Sequence, residues 1–239
     1  MQRIILSVCF LMFSVSILSA QNWWKNKIRG EGDVKKETIQ VEDFDGFSLA
    51  ISGDVYLRQG DKQEIVIKAQ PNIIRNMIFK VKDGHLKITY DRPIWRTKDI
   101  DIYMTVPSLE RIGVSGSGNV KTDGKFTSLG DLSLVVSGSG NLSLDCDAQD
   151  LNTRISGSGN IKIGGNASSI SSQVSGSGNI DAGDLKAKTG RVKISGSGNA
   201  VVYTTEKLNA QVSGSGNVKY RGEPEVSIKT SGSGKVRSY

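Results

Sequence analysis

The sequence predicts an all-β fold, a single-stranded right-handed parallel β-helix (solenoid) with about 18–22 residues per coil. Three observations predict it. The tetrapeptide SGSG occurs seven times at nearly regular intervals. Short runs rich in Val, Ile and Leu flank the copies, and turn formers such as TDGK, IGGN and DAGD lie between the runs. No segment after Gly113 shows a sustained apolar period of 3.6 residues, so we expect no helices there.

The first 20 residues have the pattern of a secretory signal peptide. Arg3 precedes an apolar run over 4–18, and two small residues follow that run. The run is too short to span a membrane, so we expect cleavage after Ala20 and a mature chain without a transmembrane segment. Cys9 lies inside the apolar run, which disfavours a lipid anchor at that cysteine.

The repeat spacing and the composition divide the chain into three parts. We expect a signal peptide over 1–20, a flexible basic leader over 21–37, and a single β-helix domain over 38–239. Within this domain, residues 38–112 form irregular N-terminal coils that cap the solenoid, and residues 113–239 form the seven SGSG repeats. A separate small β-domain over 38–112 is the alternative.

The SGSG copies start 22, 19, 19, 20, 18 and 18 residues apart, which is the irregular period of a solenoid. The starting residues are Ser115, Ser137, Ser156, Ser175, Ser195, Ser213 and Ser231. In all seven copies the flanking apolar residues and both glycines share one parity, whereas both serines have the other. Side chains alternate between faces along a strand, so we expect a strand to cross the motif in register, as a corner with Gly inside and Ser outside.

An asparagine follows six of the seven SGSG copies and has the outward parity of the serines. Stacked coils place Ser over Ser and Asn over Asn at the strand spacing of roughly 4.8 Å, and such columns can hydrogen-bond along the stack. This column is our candidate binding surface, with its neighbouring serines; the alternative is that these residues only stabilise the corner. The six residues are Asn119, Asn141, Asn160, Asn179, Asn199 and Asn217.

The N-terminal coils contain an eroded form of the motif, AISGDVYL, and strand-like runs such as EIVIKA and DIDIYMTV. The dipeptide Asp83-Gly84 lies between alternating flanks and predicts a hairpin or a tight corner. Together with VKDGHLKITY and SLERIGVSGSGNV, the pattern TIQVEDFDGFSLAISGDVYLRQGD resembles the head GIN domain family of autotransporter adhesins from Gram-negative envelopes. This resemblance spans essentially the whole mature chain. It implies a right-handed β-helix, a signal peptide, an extracytoplasmic location and no established catalytic residues.

The composition favours some partners over others. The formal net charge is +7, and the signal peptide contributes only Arg3 to it. This excess favours anionic polysaccharides or lipid head groups, and nucleic acid is not expected for an exported protein. Cys146, the single cysteine of the mature chain, has inward parity and is expected to be a small buried side chain. Exposed end coils also allow end-to-end association of two copies.

From these features we expect a non-enzymatic, adhesin-like binding or structural module, located in the periplasm, at the outer membrane or on the cell surface. A glycan or a cell-surface component is the expected partner, and no cofactor is expected. The alternative is a polysaccharide-active enzyme, because glycoside hydrolysis needs two carboxylates across a cleft. The best acidic cluster, Asp145, Asp147 and Asp150, is expected on a solvated turn, and the lone His85 has no Ser or Cys motif beside it. A calcium-dependent solenoid is disfavoured because SGSGN supplies no carboxylate.

Overall fold

The computed structural model describes residues 27–239, so the expected signal peptide and the first residues of the expected leader lie outside the described residues. The described part contains twenty strands and one short helix, α1, over residues 71–75. The first strands are β1 (Ile28–Arg29), β2 (Lys35–Ile39), β3 (Gly46–Leu49), β4 (Asp54–Gln59), β5 (Glu64–Ala69), β6 (Met77–Lys82), β7 (His85–Tyr90), β8 (Ile94–Arg96) and β9 (Asp101–Val106). The solenoid continues with β10 (Arg111–Val114), β11 (Asn119–Thr122), β12 (Phe126–Leu129), β13 (Leu132–Val136), β14 (Asn141–Ile155), β15 (Asn160–Val174), β16 (Asn179–Ile194), β17 (Asn199–Gly214), β18 (Val218–Arg221), β19 (Glu225–Gly232) and β20 (Val236–Ser238).

The strands stack in parallel and in register, which confirms the predicted β-solenoid. Leu142 of β14 pairs with Ile161 of β15, and Ile155 at the end of β14 pairs with Val174. The strand segments before each SGSG form one long sheet, sheet A, with the order β6-β7-β3-β10-β13-β14-β15-β16-β17-β19. The segments after each SGSG form sheet B, with the order β2-β5-β9-β4-β11-β14-β15-β16-β17-β18-β20.

The predicted parity is confirmed along these sheets. The apolar residues on both sides of the second SGSG copy are almost completely buried, and Cys146 is buried with them. Alternate outward residues such as Ser137, Ser139 and Asn141 are exposed. One continuous apolar core therefore runs along the inside of the coils.

The SGSG motif is a corner, but no strand crosses any of its seven copies, contrary to expectation; in the last two copies β17 and β19 end at the first glycine of the motif. The first five copies share one pattern. Strands end directly before the motif and restart at the asparagine, with a bend between them. The glycines are needed because the preceding coil lies against them. A Cβ at Gly159 would overlap the carbonyl oxygen of Gly140 and lie 2.7 Å from Val136 Cγ1. The inward parity of these glycines thus reflects close packing of one corner on the next.

The N-terminal coils are stacked in an order that differs from their order in the chain. Strands β7 and β9 pair on the outer side of β3 and β4, and β3 and β4 pair in turn with β10 and β11. The Asp83-Gly84 turn joins β6 and β7 as the predicted antiparallel hairpin, with positive φ at both turn residues. Strand β5 is also antiparallel to both of its neighbours, β2 and β9, so the N-terminal coils depart from the regular parallel stacking of the repeat region.

One strand lies within the segment expected to be a flexible leader, and a second begins in it. Strand β1 pairs with β8, and β2 pairs along its length with β5. Strand β2 crosses the expected boundary between residues 37 and 38, and its Lys35, Lys36 and Glu37 place charges on the edge of sheet B. Within residues 27–239, no helix has the length and the apolar character that a membrane span requires.

Candidate functional site

The six asparagines of the candidate surface form one hydrogen-bonded column. Strand register aligns the first five, and the sixth continues the chain of side-chain hydrogen bonds. Each Nδ2 donates to the Oδ1 of the asparagine in the preceding coil, at distances between 2.8 and 3.1 Å. The column therefore holds successive corners in register, in addition to offering polar groups to solvent.

The asparagine column has a direction and a charged end. Asn119 Nδ2 donates to Asp54 Oδ1 at 2.8 Å, so all the amide donors point towards a carboxylate at the N-terminal end. At the other end, the backbone N–H of Lys235 donates to Asn217 Oδ1 at 3.3 Å. An amide NH₂ has two N–H donors, and the column uses only one of them on each asparagine. The second donor remains available, and Asn141, Asn160, Asn179 and Asn199 are exposed.

Two columns of serines lie beside the asparagines and behave differently. All fourteen SGSG serines are exposed. The expectation that they would also hydrogen-bond along the stack is not met. Within residues 27–239, the six column asparagines form intramolecular side-chain hydrogen bonds and the fourteen SGSG serines form none. Hydroxyls do meet between coils elsewhere, since Thr153 Oγ1 lies 2.9 Å from Ser172 Oγ. The corner serines make no such contact, so each keeps a hydroxyl donor and two acceptor lone pairs.

The acidic cluster lies in strand β14, not on a turn as expected. Asp147 accepts hydrogen bonds from Lys125 Nζ at 2.7 Å and from Asn166 Nδ2 at 2.8 Å. These two hydrogen bonds, from Lys125 first, hold the pKa of the Asp147 carboxyl below its usual value. Asp150 accepts a hydrogen bond from Ser169 Oγ at 2.5 Å. Among the described residues, no group of three His, Cys, Asp or Glu side chains is arranged to hold a metal ion.

His85 has a serine partner that the sequence did not reveal. Its Nε2 lies 2.7 Å from Ser48 Oγ, because β7 stacks on β3 in the inverted order of the N-terminal coils. The pKa of the His85 imidazole is lowered, first by burial and then by the nearby charge of Arg111, whereas Asp45 opposes the shift. A neutral imidazole beside a hydroxyl is the simplest nucleophile–base arrangement. The pairing was not predictable because the two residues lie 37 positions apart and their coils are not consecutive.

Comparison with known proteins identifies the family. The family described as "Putative auto-transporter adhesin, head GIN domain" matches residues 43–224. This chain belongs to the head GIN domain family. A "putative adhesin" from Bacteroides fragilis is 28% identical, with a TM-score of 0.84 over 89% of this chain and 100% of that chain. A "putative lipid binding protein" from Parabacteroides distasonis is 26% identical, with a TM-score of 0.76 over 89% of this chain and 99% of that chain. Comparison with curated proteins gives no match.

The family match covers the whole asparagine column of this head GIN domain and six of its seven SGSG copies. The remaining copy starts at Ser231, on the last coil of the head GIN domain. Thus the part of the chain that matches the family contains the asparagine column and the serines of these six copies. The family is described as a "putative auto-transporter adhesin", and the two similar structures as a "putative adhesin" and a "putative lipid binding protein".

The single cysteine of the described head GIN domain is a packing residue. Cys146 is buried, and burial is the main cause that raises the pKa of its thiol to about 12. The carboxylates of Asp145 and Asp147 raise the pKa further by disfavouring a nearby thiolate. A thiol of this kind stays protonated at neutral pH and is a weak nucleophile.

Proposed function

We propose that this head GIN domain protein is an exported, non-enzymatic, adhesin-like binding module of the cell envelope. Its ligand contacts the SGSGN corner, defined here as the polar strip formed by the fourteen SGSG serines and the six column asparagines. The observation that carries this proposal is the contrast within the strip. The asparagine side chains hydrogen-bond to one another, whereas the serine hydroxyls are exposed and have no intramolecular hydrogen-bond partner within residues 27–239.

The strip suits an extended partner. Equivalent hydroxyl groups recur on successive coils at the strand spacing of roughly 4.8 Å, along a straight and rigid surface. Each exposed hydroxyl contributes little to affinity, because its bonds to a ligand replace bonds to water. A long partner adds many such contacts while losing its translational freedom only once, and solenoid proteins commonly bind extended partners in this way. A glycan chain, rich in hydroxyl groups and regular in repeat, matches these features.

The alternative, a polysaccharide-active enzyme, has one observation in its favour, the Ser48–His85 pair. In the triad arrangement a third group fixes the tautomer of the base. Within the described residues, the only side-chain hydrogen bond of His85 is the one to Ser48. The acidic cluster also fits catalysis poorly, because a general acid needs a raised pKa and that of Asp147 is lowered.

The test is a binding screen of the folded mature chain, residues 21–239, on a glycan array and on whole bacterial cells. Two triple variants locate the contact: Ser139→Ala, Ser158→Ala, Ser177→Ala in the serine column, and Asn141→Ala, Asn160→Ala, Asn179→Ala in the asparagine column. The serine variant should bind more weakly with an unchanged melting temperature, because these hydroxyls make no internal bond. The asparagine variant should lose stability as well.

Three outcomes would contradict the proposal. Binding to no glycan and to no cell would contradict the adhesin-like role itself. Wild-type affinity in both triple variants would exclude the SGSGN corner as the contact surface. New reducing ends or unsaturated products released from any glycan, and abolished by Ser48→Ala, would instead identify an enzyme.

A further inference from the structure

Sheet A carries a line of positive charge just before the corner. Two adjacent outward-facing columns run over its ten strands, and in-register pairing defines both. At the strand spacing, ten strands extend over about 43 Å. All eight cations of these columns are exposed. This basic stripe consists of Lys80, Lys82, Lys87, Arg111, Arg154, Arg191, Lys193 and Lys229.

No carboxylate interrupts the basic stripe within these two columns. The other positions are small, apolar or uncharged polar residues, apart from His85. None of the eight stripe cations belongs to an ion pair of the described residues. Cations that do form ion pairs include Arg58, Lys68, Lys98, Lys125 and Arg221. Most other cations of the described residues also lack an ion pair, so what distinguishes these eight is their alignment in two adjacent columns without an intervening carboxylate.

The cations of the basic stripe repel one another when no ligand is bound. Lys80 and Lys87 face each other directly across the antiparallel pair β6–β7, and like charges at such positions are destabilising. Arg191 and Lys193 also lie two residues apart on the same face of β16. An anionic partner that bound along the stripe would remove this repulsion in addition to forming new ion pairs.

The spacing of the cations indicates what kind of anion fits. In the column nearer the corner, Arg154, Lys193 and Lys229 lie on alternate coils, and glutamines occupy the coils between them. Two strand spacings separate neighbouring charges by about 9.6 Å. Arg154 Nη2 donates to Gln173 Oε1 at 2.9 Å, which holds its guanidinium along the column. An extended polymer with one acidic group in each disaccharide presents charges at a similar repeat.

The surroundings of the stripe favour one linear chain over a membrane surface. On the side away from the corner lies a rim with four carboxylates and one cation, Lys207, and on the side of the corner lie the uncharged serine columns. The four acidic residues of the rim are Asp83, Asp131, Asp150 and Glu225. A concave depression of about 470 Å³ around Arg191 includes part of the stripe together with Lys207 and Glu225 of the rim. A second depression, of about 660 Å³ around Arg111, is lined by four carboxylates and marks the acidic side of the stripe; they are Asp45, Asp83, Glu110 and Asp131. A broad anionic bilayer would meet the acidic rim as well, whereas a single chain fits between the rim and the corner.

We propose that the basic stripe binds a linear acidic polysaccharide that lies along the solenoid axis. The acidic groups of the polymer meet the cations, and its hydroxyl groups face the adjoining serines of the SGSGN corner. The inference rests on the proposed adhesin-like function and adds to it the chemical class of the ligand and the residues that select it.

The experiment measures affinity of the folded mature chain for hyaluronate, a linear polymer with one carboxylate per disaccharide, at physiological salt. Neutral dextran and vesicles of phosphatidylcholine with phosphatidylglycerol serve as comparison ligands. The stripe variant is Arg154→Gln, Lys193→Gln, Lys229→Gln. The matched control on sheet B is Lys121→Gln, Lys162→Gln, Lys219→Gln, which removes the same charge from positions that lie among carboxylates or against tyrosine rings. All six side chains except half-exposed Lys219 are exposed, so both variants should fold.

We expect hyaluronate to bind, dextran to bind far more weakly, and added salt to weaken the interaction. The stripe variant should lose roughly tenfold in affinity, and the control variant less than about twofold. Equal losses in both variants would overturn the proposal, because they would indicate attraction by net charge alone. Binding to anionic vesicles without binding to hyaluronate would overturn it in favour of a membrane.

The two proposals fail in different ways. If the glycan array shows binding to neutral glycans only, and the stripe variant retains it, the adhesin-like function stands and the acidic ligand is wrong. If neither the array, the cells nor hyaluronate binds the folded chain, both proposals are wrong.

Discussion

Replacing the second glycine of a central corner with alanine tests how the coils pack. In Gly159→Ala, the new methyl group would overlap the Gly140 carbonyl oxygen and lie 2.7 Å from Val136 Cγ1. Neither obstacle is a flexible side-chain end, since one is backbone of the preceding coil and the other is a completely buried valine. The two corners must therefore move apart, which strains the strand pairing and the asparagine column on the same coil.

The size of the effect follows from two opposing contributions. Overpacking of a rigid interior by a methylene-sized group costs about 1–3 kcal/mol, and a clash with backbone places this variant at the upper end. Alanine also reduces the conformational entropy of the unfolded chain, which stabilises the fold by about 0.4–1 kcal/mol. We therefore expect the free energy of unfolding to fall by about 2 kcal/mol or more.

Gly130→Ala is the matched control, because a Cβ at that position meets no atom within 4 Å and φ is not in the left-handed region. It should leave stability unchanged or raise it by up to about 1 kcal/mol. Urea unfolding followed by far-UV circular dichroism gives both values from the transition midpoints. If Gly159→Ala unfolded at the same urea concentration as Gly130→Ala, the close corner packing described here would be refuted.

Three further predictions address other parts of the structure. Asn160→Ala removes a donor to Asn141 and an acceptor for Asn179, so the free energy of unfolding should fall by about 1–2 kcal/mol. Ser158→Ala on the same corner should change it by less than about 0.5 kcal/mol. Equal effects of the two variants in a urea titration would contradict the structural role of the column. Cys146, with its pKa of about 12, should resist iodoacetamide at pH 8 in the folded protein and react after unfolding in urea, as mass spectrometry would show; rapid native labelling would be inconsistent with its burial. The lowered pKa of Asp147 stabilises the fold above the carboxyl's unfolded pKa, and this contribution is lost as the pH falls through the folded value. Asp147→Asn should therefore lower the melting temperature relative to wild type at pH 7, and this difference should shrink as the pH falls below the carboxyl's unfolded pKa. A difference that does not change with pH would exclude the Lys125 ion pair as the cause.

The fold was predictable in the repeat region because each coil contains its own signal. Alternating parity around Gly138 and Gly140 identifies which residues face inward, and equal spacing identifies which residues stack. The asparagine column follows from these two facts alone. What the sequence could not reveal is that the carboxamides bond to one another while the hydroxyls do not, since this depends on the distances between side chains of neighbouring coils.

The N-terminal end was less predictable because its strands pair out of chain order. Strand β7 lies outside β3, and this inversion brings His85 to Ser48. Pairing between strands that are distant in the sequence leaves no periodic trace, whereas the Asp83-Gly84 hairpin, a local feature, was identified correctly. The basic stripe was missed for a similar reason. Its cations are spread over residues 80–229 and form a line only when the register of sheet A is known.

The most direct test of the central claim, that successive corners form one continuous binding surface, is an NMR titration. The side-chain NH₂ signals of Asn141, Asn160 and Asn179 and the backbone amides of Ser139, Ser158 and Ser177 would be followed as the polysaccharide selected by the array is added. We predict that these signals shift together, with one common affinity, over all three coils. Shifts confined to a single coil, or centred on Ser48 and His85, would contradict an extended ligand lying along the solenoid.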